Sequence, residues 1–352
     1  MSTATTMVAI LILIAGAGYF LVQGGHLDVS KIDALTKVAD GASQEPQTGQ
    51  IVEDEEAEVS ENNLRFTSGG KDIVYPTLFH DPRWNHMPLK YYMDVSSGSG
   101  LDGFGDDDPN YVRQAVGTWE EKTDGLISFQ EVQAEEGADI VISWFPTLAD
   151  TPTSRVVGEG GPTKAIDTGG KYTLIAGGEI FLLPTDNKCV GVNRPVHEMG
   201  HVLGLGHAPP GYGDIMYPNE IDCRQNITQI TVDAIKSIYE GDATPDLTLS
   251  NVSIIKKGGI MDVSLTIRNV GLKDSVQSSI GFFADGEIIE SMTTPKFSVI
   301  SSLSPGSGIS SKVTNAKIPA DVREIRIQAD WKNEVKELRE DNNEAVVRFH
   351  QQ

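Results

Sequence analysis

The chain has 352 residues, 39% of them hydrophobic, and its 50 acidic side chains outnumber 28 basic ones for a formal charge of -22. That balance excludes a nucleic-acid binder, because phosphate recognition needs a basic patch and none is present. The two cysteines allow at most one internal disulfide.

Met7 to Val22 is an uncharged apolar run, extended by Ala4-Thr5-Thr6 to nearly the length of a membrane-crossing helix. Residues 1–23 therefore read as a transmembrane anchor or a signal segment. Ala15-Gly16-Ala17 would suit cleavage, but the run stays apolar through Phe20-Leu21-Val22 and no Lys or Arg precedes it. The favoured expectation is an uncleaved single-pass anchor in the cell membrane with the bulk of the chain outside; the alternative is secretion after cleavage. Residues 24–63 follow as a stalk. Gly41 to Asn63 is rich in Glu, Gln, Ser and Asp, with no Lys or Arg from Val38 to Leu64, and cannot bury enough apolar surface to fold.

The spacing of Val112, Ala115, Val116 and Trp119 predicts an amphipathic helix over Tyr111 to Thr123, started by Asp108-Pro109. Ahead of it, Asp102-Gly103-Phe104-Gly105-Asp106-Asp107-Asp108 is either a polar turn or a calcium loop, since bunched carboxylates suit hard cations. Ile127-Ser128-Phe129, Ala138 to Ile142 and Gly177 to Leu182 read as strands.

His197-Glu198-Met199-Gly200-His201-Val202-Leu203-Gly204-Leu205-Gly206-His207 is the most informative stretch. Histidines four apart on a helix lie one turn above each other, so His197 and His201 can present two nitrogens to one metal ion with Glu198 beside them. Gly204 can end the helix with a positive φ, and the chain can then turn back to bring His207 to the same ion. Three imidazoles leave one tetrahedral position open. A zinc ion so held lowers the pKa of bound water from about 15.7 to about 7, and Glu198 is placed to take its proton.

Asp214-Ile215-Met216-Tyr217-Pro218 follows closely. With it, the segment resembles the metzincin clan of zinc endopeptidases, and the Gly200, Leu203-Gly204-Leu205 and Met216-Tyr217-Pro218 details look most like its matrixin branch. The resemblance implies His197, His201 and His207 as ligands of one catalytic zinc, Glu198 as base, and Met216 as the floor of the site. It implies an α+β catalytic domain over residues 64–243, a twisted mixed sheet with an active-site helix. It also makes Gly178, Glu179 and Ile180 the edge strand that would hold an extended peptide substrate by β-augmentation; read alone, that strand could equally be an ordinary core strand.

The departures from the family are as informative. No histidine lies between Thr151 and Val196 to hold a second, structural zinc, and neither cysteine is placed to block the first. Ala208-Pro209-Pro210-Gly211-Tyr212-Gly213 and Glu220 differ from the family's pocket, so specificity does not carry over. Cys189 and Cys223 bracket the zinc segment and are expected to pair in an exported domain. Closing that loop would stabilise the fold by about 3–4 kcal/mol in the chain-entropy model.

From Asp246 the texture changes to period-two strands: Asp246 to Ile255, Met261 to Asn269, Gln277 to Glu290, Gly308 to Ile318, Glu324 to Trp331 and Ala345 to Phe349, with turns such as Ala284-Asp285-Gly286. These predict an all-β sandwich over residues 246–352. Leu265 to Gly271 and Glu334 to Asn343 resemble the cell-adhesion-related bacterial domain, CARDB, an immunoglobulin-like module. That resemblance implies a binding or spacer module, with a surface protein or glycan as the kind of ligand it could take. Glu340-Asp341-Asn342-Asn343 is expected to cap a hairpin, with calcium as the alternative. Asn226-Ile227-Thr228 and Asn251-Val252-Ser253 are glycosylation sequons or ordinary polar surface.

The whole reads as a membrane-anchored surface endopeptidase acting on extracellular or cell-surface proteins. The competing expectation is an adhesion or envelope protein with a structural zinc. That reading needs a fourth protein ligand, for which Asp214 and Tyr212 are the nearby candidates.

Overall fold

The computed structural model describes residues 62–148, 156–208, 213–218, 223–293 and 298–349. The anchor and almost all of the stalk lie outside the described residues; among these, no helix is long and apolar enough to cross a membrane.

The described chain opens on a hairpin of β1 (Asn63–Ser68) and β2 (Lys71–Pro76), turned by Gly69 and Gly70 with φ of +56° and +77°. Six strands then build one sheet: β3 (Pro82–Trp84), β4 (Leu89–Asp94), β5 (Phe129–Val132), β6 (Ile140–Trp144), β7 (Gly158–Asp167) and β8 (Thr173–Leu182). In the order β3, β8, β6, β4, β5 they run parallel, and β7 lies antiparallel along β8. Parallel strands covered on both faces read as near-continuous apolar runs. Accordingly β6 buries four of its five residues, Ile140, Ile142, Ser143 and Trp144.

This topology corrects one expectation. Gly178, Glu179 and Ile180 are not on an edge: each pairs with β6 on one side and with β7 on the other. Among the described residues, β7 pairs only with β8, so the free edge belongs to residues 158–167. A residue pattern records which face of a strand is apolar but not which neighbours bond to it. That information is non-local.

Three longer helices complete this half, beside a single helical turn at Val95–Gly98. α1 (Asp107–Lys122) begins four residues earlier than its apolar face suggests, and buries Val112, Ala115, Val116 and Trp119 as expected. The acidic run ahead of it is a braced turn. Buried Asp108 accepts the Gly105 N–H at 2.8 Å and the Thr185 N–H at 3.3 Å, which satisfies backbone donors at the helix entrance. α2 (Lys188–Val202) is capped by the Asn187 side chain, which accepts from the Cys189 and Val190 N–H groups. α3 (Gln229–Tyr239) buries Val232, Ala234, Ile235, Ile238 and Tyr239 against the same core. Cys189 and Cys223 form the expected disulfide, 34 residues apart, tying the first turn of α2 to the segment ahead of α3.

The C-terminal half is a two-sheet β-sandwich. Its strands are β9 (Leu247–Lys257), β10 (Ile260–Asn269), β11 (Ser278–Ala284), β12 (Glu287–Ile288), β13 (Val299–Ile300), β14 (Gly308–Lys317), β15 (Glu324–Ala329) and β16 (Glu344–Arg348). One sheet has the order β14-β10-β9, the other β12-β11-β15-β16 with β13 on β11. Alternation on facing strands fills the space between them: Met261, Val263, Leu265 and Ile267 from β10, Ile325, Ile327 and Ala329 from β15.

The loop between β15 and β16 carries the acidic stretch singled out above. Asn342 donates to Asp246 Oδ1 at 2.8 Å, Glu340 accepts the Glu337 N–H at 3.1 Å, and buried Glu337 accepts the Leu247 N–H at 2.5 Å and the Asn343 amide at 3.4 Å. These side chains staple the loop to the start of β9. Burial pushes the Glu337 carboxyl up to about 8, against the opposing effect of its two donors. Since this lies above the unfolded value near 4.5, the native state holds the proton more tightly. The associated stability is fully present below that unfolded value and is lost as pH rises through about 8. Melting temperatures of the full chain should therefore fall more between pH 6 and 9.5 than those of Glu337→Gln. Parallel curves for the two proteins would rule this out.

Candidate metal centre

α2 ends where its sequence says it must. Leu203 is the last near-helical residue, and Gly204 takes φ +99° with its Cα against Pro82, where an added Cβ would lie 2.5 Å from the proline ring. The helix end is capped from outside: Trp84 Nε1–H donates to the Val202 carbonyl at 2.9 Å and Tyr239 O–H to that of Leu203 at 3.0 Å. Beyond Gly204 the chain is clamped to the end of β2. Leu78 N–H bonds Gly204 O at 2.9 Å, Gly206 N–H bonds Pro76 O at 2.8 Å, and Thr77 and Leu205 form a β-bridge. This clamp sets the direction in which His207 leaves.

The three imidazoles meet. Their ring centroids are 4.7 Å (His197–His201), 5.4 Å (His197–His207) and 4.8 Å (His201–His207) apart, and one nitrogen from each lies within 4.8 Å of the others. Two of the rings have their tautomer fixed by backbone carbonyls, which can only accept. His197 Nδ1 is 2.6 Å from Ile215 O, and His201 Nδ1 is 2.8 Å from Leu205 O. Each Nδ1 must carry the hydrogen, so in the neutral rings each Nε2 bears a lone pair. Those two Nε2 atoms face each other at 3.0 Å. Two lone pairs at that distance repel unless a cation lies between them. For comparison, tetrahedral zinc with nitrogen ligands at about 2.0–2.1 Å separates neighbouring nitrogens by roughly 3.4 Å.

Two of the rings, those of His201 and His207, are also kept neutral. Burial, then the neighbouring His197 and His207, push His201 down to about 3, and His207 is lowered by burial and by His197. Protons therefore compete weakly for these nitrogens at neutral pH. This donor set fits a borderline-soft divalent ion such as zinc.

Glu198, next to His197, is buried beneath β7. A Cβ on Gly158 would sit 2.5 Å from Glu198 Oε1, and one on Gly160 would sit 2.7 Å from Glu198 Cβ. Only glycine at these two positions lets the edge strand pass over this carboxylate. Burial, then the charge of Glu159, raises Glu198 to about 8, opposed by Arg194 and by the Gly160 N–H that it accepts. Sequence reasoning missed Gly158 and Gly160; the signal available was the Gly158-Glu159-Gly160-Gly161 run inside a strand.

Met216 lies under the helix, fully buried, and Gly200 makes room for it: a Cβ there would be 2.2 Å from the Met216 sulfur. Asp214, considered above as a fourth ligand, is engaged elsewhere. Its Oδ1 accepts the Met216 N–H at 2.7 Å, and its Oδ2 accepts the hydroxyls of Thr228 at 2.5 Å and Thr231 at 2.6 Å. Tyr212 lies outside the described residues. Among the described residues, the only group of three or more potential metal-binding side chains is the histidine triad.

Comparison with known proteins bears on the two halves unequally. The CARDB family model matches residues 244–347. Residues 244–347 form a CARDB domain. Among solved structures, a CARDB domain from Pyrococcus furiosus in complex with di-metal ions is 19% identical, covering 29% of this chain and 84% of that one with a TM-score of 0.22. A domain of a cell-surface protein from Methanosarcina acetivorans is 22% identical over 31% of this chain and 95% of its own, with a TM-score of 0.24. The hatching enzyme zinc-protease HCE-1 of the medaka fish Oryzias latipes is 14% identical, covering 43% of this chain and 88% of that one, with a TM-score of 0.27. No curated protein matches the chain. Scores this low describe partial overlap, and the chemistry rests on the site's own geometry.

The CARDB domain is docked against the sheet that carries the site. The turn between β7 and β8 enters it so closely that a Cβ on Gly170 would be 2.4 Å from Val270 O, and Gly306 packs on Asp167 O. Tyr172 and Leu174 of this hairpin share a small core with Leu272 and Leu338. Buried Arg83 lies against the rings of Tyr172 and Tyr239 and donates to the carbonyls of Tyr239, Glu240 and Gly241 at the end of α3. Asn85 reaches Leu272 O at 2.8 Å.

The glycine positions provide a direct check. Gly200→Val forces the Met216 side chain out of its place and should lower the zinc content of the purified protein below one equivalent. Gly117→Val, on the same scale of helix propensity but with open space around its Cα, should leave it unchanged. Equal zinc content in the two variants would contradict the packing argument.

Proposed function

We propose that this protein is a zinc-dependent endopeptidase. The observation that carries the reading is the convergence of three imidazoles, two with Nδ1 donated to carbonyls and Nε2 lone pairs face to face, directly beside a buried carboxylate. A zinc ion held by His197, His201 and His207 would polarise a peptide carbonyl and acidify a water molecule at its open position.

The remaining work falls to the chain. With zinc bound beside it, whose positive charge favours the ionised form, the Glu198 carboxylate would take the proton from the attacking water and deliver it to the leaving amine. Its confinement by Gly158 and Gly160 keeps it in one place, which general acid–base catalysis requires. The free edge of β7 offers N–H and C=O groups on either side of Pro162, where the proline lacks an N–H and the register shifts, and an extended peptide can add to the Gly158–Gly161 stretch beside Glu198 as a further strand. A folded substrate would have to present such an extended segment.

An endopeptidase with a free edge strand suits protein substrates outside the cell, which accords with the disulfide and with an N-terminal anchor. The CARDB domain would then hold the catalytic half at a surface or bring it to a protein or glycan partner. A purely structural zinc is the second reading. The occupation of both Asp214 oxygens by Met216, Thr228 and Thr231 disfavours it, because a closed site needs a fourth protein ligand.

Two variants test the proposal. Glu198→Gln should keep stoichiometric zinc and lose about 10²–10⁴-fold in turnover of a diverse quenched-fluorescent peptide library. His201→Ala should lose both zinc and turnover, and wild-type cleavage should stop on adding a chelator and return with zinc. Turnover by Glu198→Gln at the wild-type rate, or no cleavage by zinc-loaded wild type, would refute it.

A further inference from the structure

We propose that Asp214 is the positioning residue of the metal centre, holding the His197 imidazole in its metal-binding tautomer through the turn that carries Ile215 and Met216. The inference rests on the zinc reading above and adds to it a residue that touches neither metal nor substrate.

One chain of hydrogen bonds connects Asp214 to the His197 ring. His197 is committed to Nε2 ligation only while its Nδ1–H has an acceptor, and that acceptor is the backbone carbonyl of Ile215 at 2.6 Å. Ile215 belongs to a turn, and a turn's carbonyl points where its neighbours hold it. Asp214 does the holding. Its Oδ1 closes the turn by accepting the Met216 N–H at 2.7 Å, while its Oδ2 accepts Thr228 O–H at 2.5 Å, Thr231 O–H at 2.6 Å and Thr228 N–H at 3.3 Å at the start of α3. The Thr231 hydroxyl has only one hydrogen. Having given it to Asp214, it accepts from the Tyr75 O–H at 3.0 Å, so the chain of bonds ends on β2. All of Tyr75, Asp214 and Thr231 are buried. Backbone bonds fix the same turn from the other side, with Ile215 N–H to Asn226 O at 2.8 Å and Asn226 N–H to Gly213 O at 3.3 Å.

His201 is held differently. Its acceptor, Leu205 O, lies in the segment clamped to Pro76 and Thr77, and among the described residues the Asp214 network stops at the Tyr75 hydroxyl without a bond to that segment's backbone. Loss of Asp214 should therefore loosen one ligand and spare the other. A residue important only for folding would not discriminate between them.

The test uses the full chain. Zinc affinity is measured by competition with a chromophoric chelator, and imidazole nitrogen NMR reads the tautomer of each ring in the zinc-loaded protein. Asp214→Ala should bind zinc about 10–100-fold more weakly than wild type, the range for removing a partner that orients a metal ligand. The Nδ1–H signal of His197 should broaden or shift while that of His201 stays. Asp214→Asn, whose amide oxygen can still accept the Met216 N–H but whose NH2 group cannot accept from Thr228 or Thr231, should recover only part of the affinity. If Asp214→Ala does not fold, Thr231→Val removes one bond of the network and should show the same selective change at reduced size. Ile235→Val, a mild core destabilisation on the same helix, should leave affinity at the wild-type value. Wild-type zinc affinity in Asp214→Ala, or in Thr231→Val where that is the variant measured, would overturn the proposal and leave the zinc reading intact. Equal disturbance of His197 and His201 would do the same. A wild-type protein that binds no zinc would overturn both.

Discussion

Two imidazole N–H groups bonded to backbone carbonyls are the constraint on which the rest of this site depends. Once Ile215 O and Leu205 O accept from the Nδ1–H groups of His197 and His201, the neutral rings oppose their Nε2 lone pairs at 3.0 Å, an arrangement that a shared cation relieves. Neither carbonyl is placed by the histidine helix alone: Leu205 N–H bonds Gly200 O at 3.0 Å at the helix end, but contacts from elsewhere in the chain also hold both segments. Leu205 follows the positive-φ glycine and is clamped to β2, while Ile215 sits in the turn held by Asp214. The hairpin at the start of the described chain, the end of α2 and the start of α3 thus converge on the same few atoms. Separate parts of the sequence are needed to make one binding geometry.

Glu198 illustrates a second consequence of close packing. A carboxylate beside a metal site must be confined without being replaced, and the structure does this by removing side chains above it rather than adding groups around it. Gly158 and Gly160 bring the β7 backbone onto Glu198, and the Gly160 N–H is donated to its carboxylate. The same strand provides the free edge. The proposed substrate pairing and the confinement of the proposed base therefore fall to one strand, and the turn at its far end is lodged in the CARDB domain. The CARDB domain was expected as a binding or spacer module. Its contacts with Tyr172, Leu174 and Asn85 make it part of the support of the six-stranded sheet as well.

What could be read from the sequence was what depends on local spacing. His197 and His201 are one helical turn apart, Gly204 can leave the helix in a conformation other residues avoid, and alternation in β10 and β15 marks a sandwich; all three appear in the structure. The disulfide between Cys189 and Cys223 also formed as expected. What could not be read depends on pairing across the chain. Gly178 to Ile180 and Gly158 to Pro162 are both glycine-containing strands of mixed pattern, and nothing in either says which has a neighbour on both sides. Asp214 likewise looks like a spare ligand beside the third histidine. Only the approach of Thr228 and Thr231 from α3 shows that its oxygens are already in use.

The central claim is that this triad holds a metal ion with one coordination position left open by the protein. X-ray absorption at the zinc edge of the purified, zinc-loaded chain tests it most directly. The account predicts three imidazole nitrogens at about 2.0–2.1 Å and one light-atom ligand that exchanges with added small anions or inhibitors. A fourth protein ligand that resists exchange, or a protein that takes up no zinc with all three histidines intact, would contradict it.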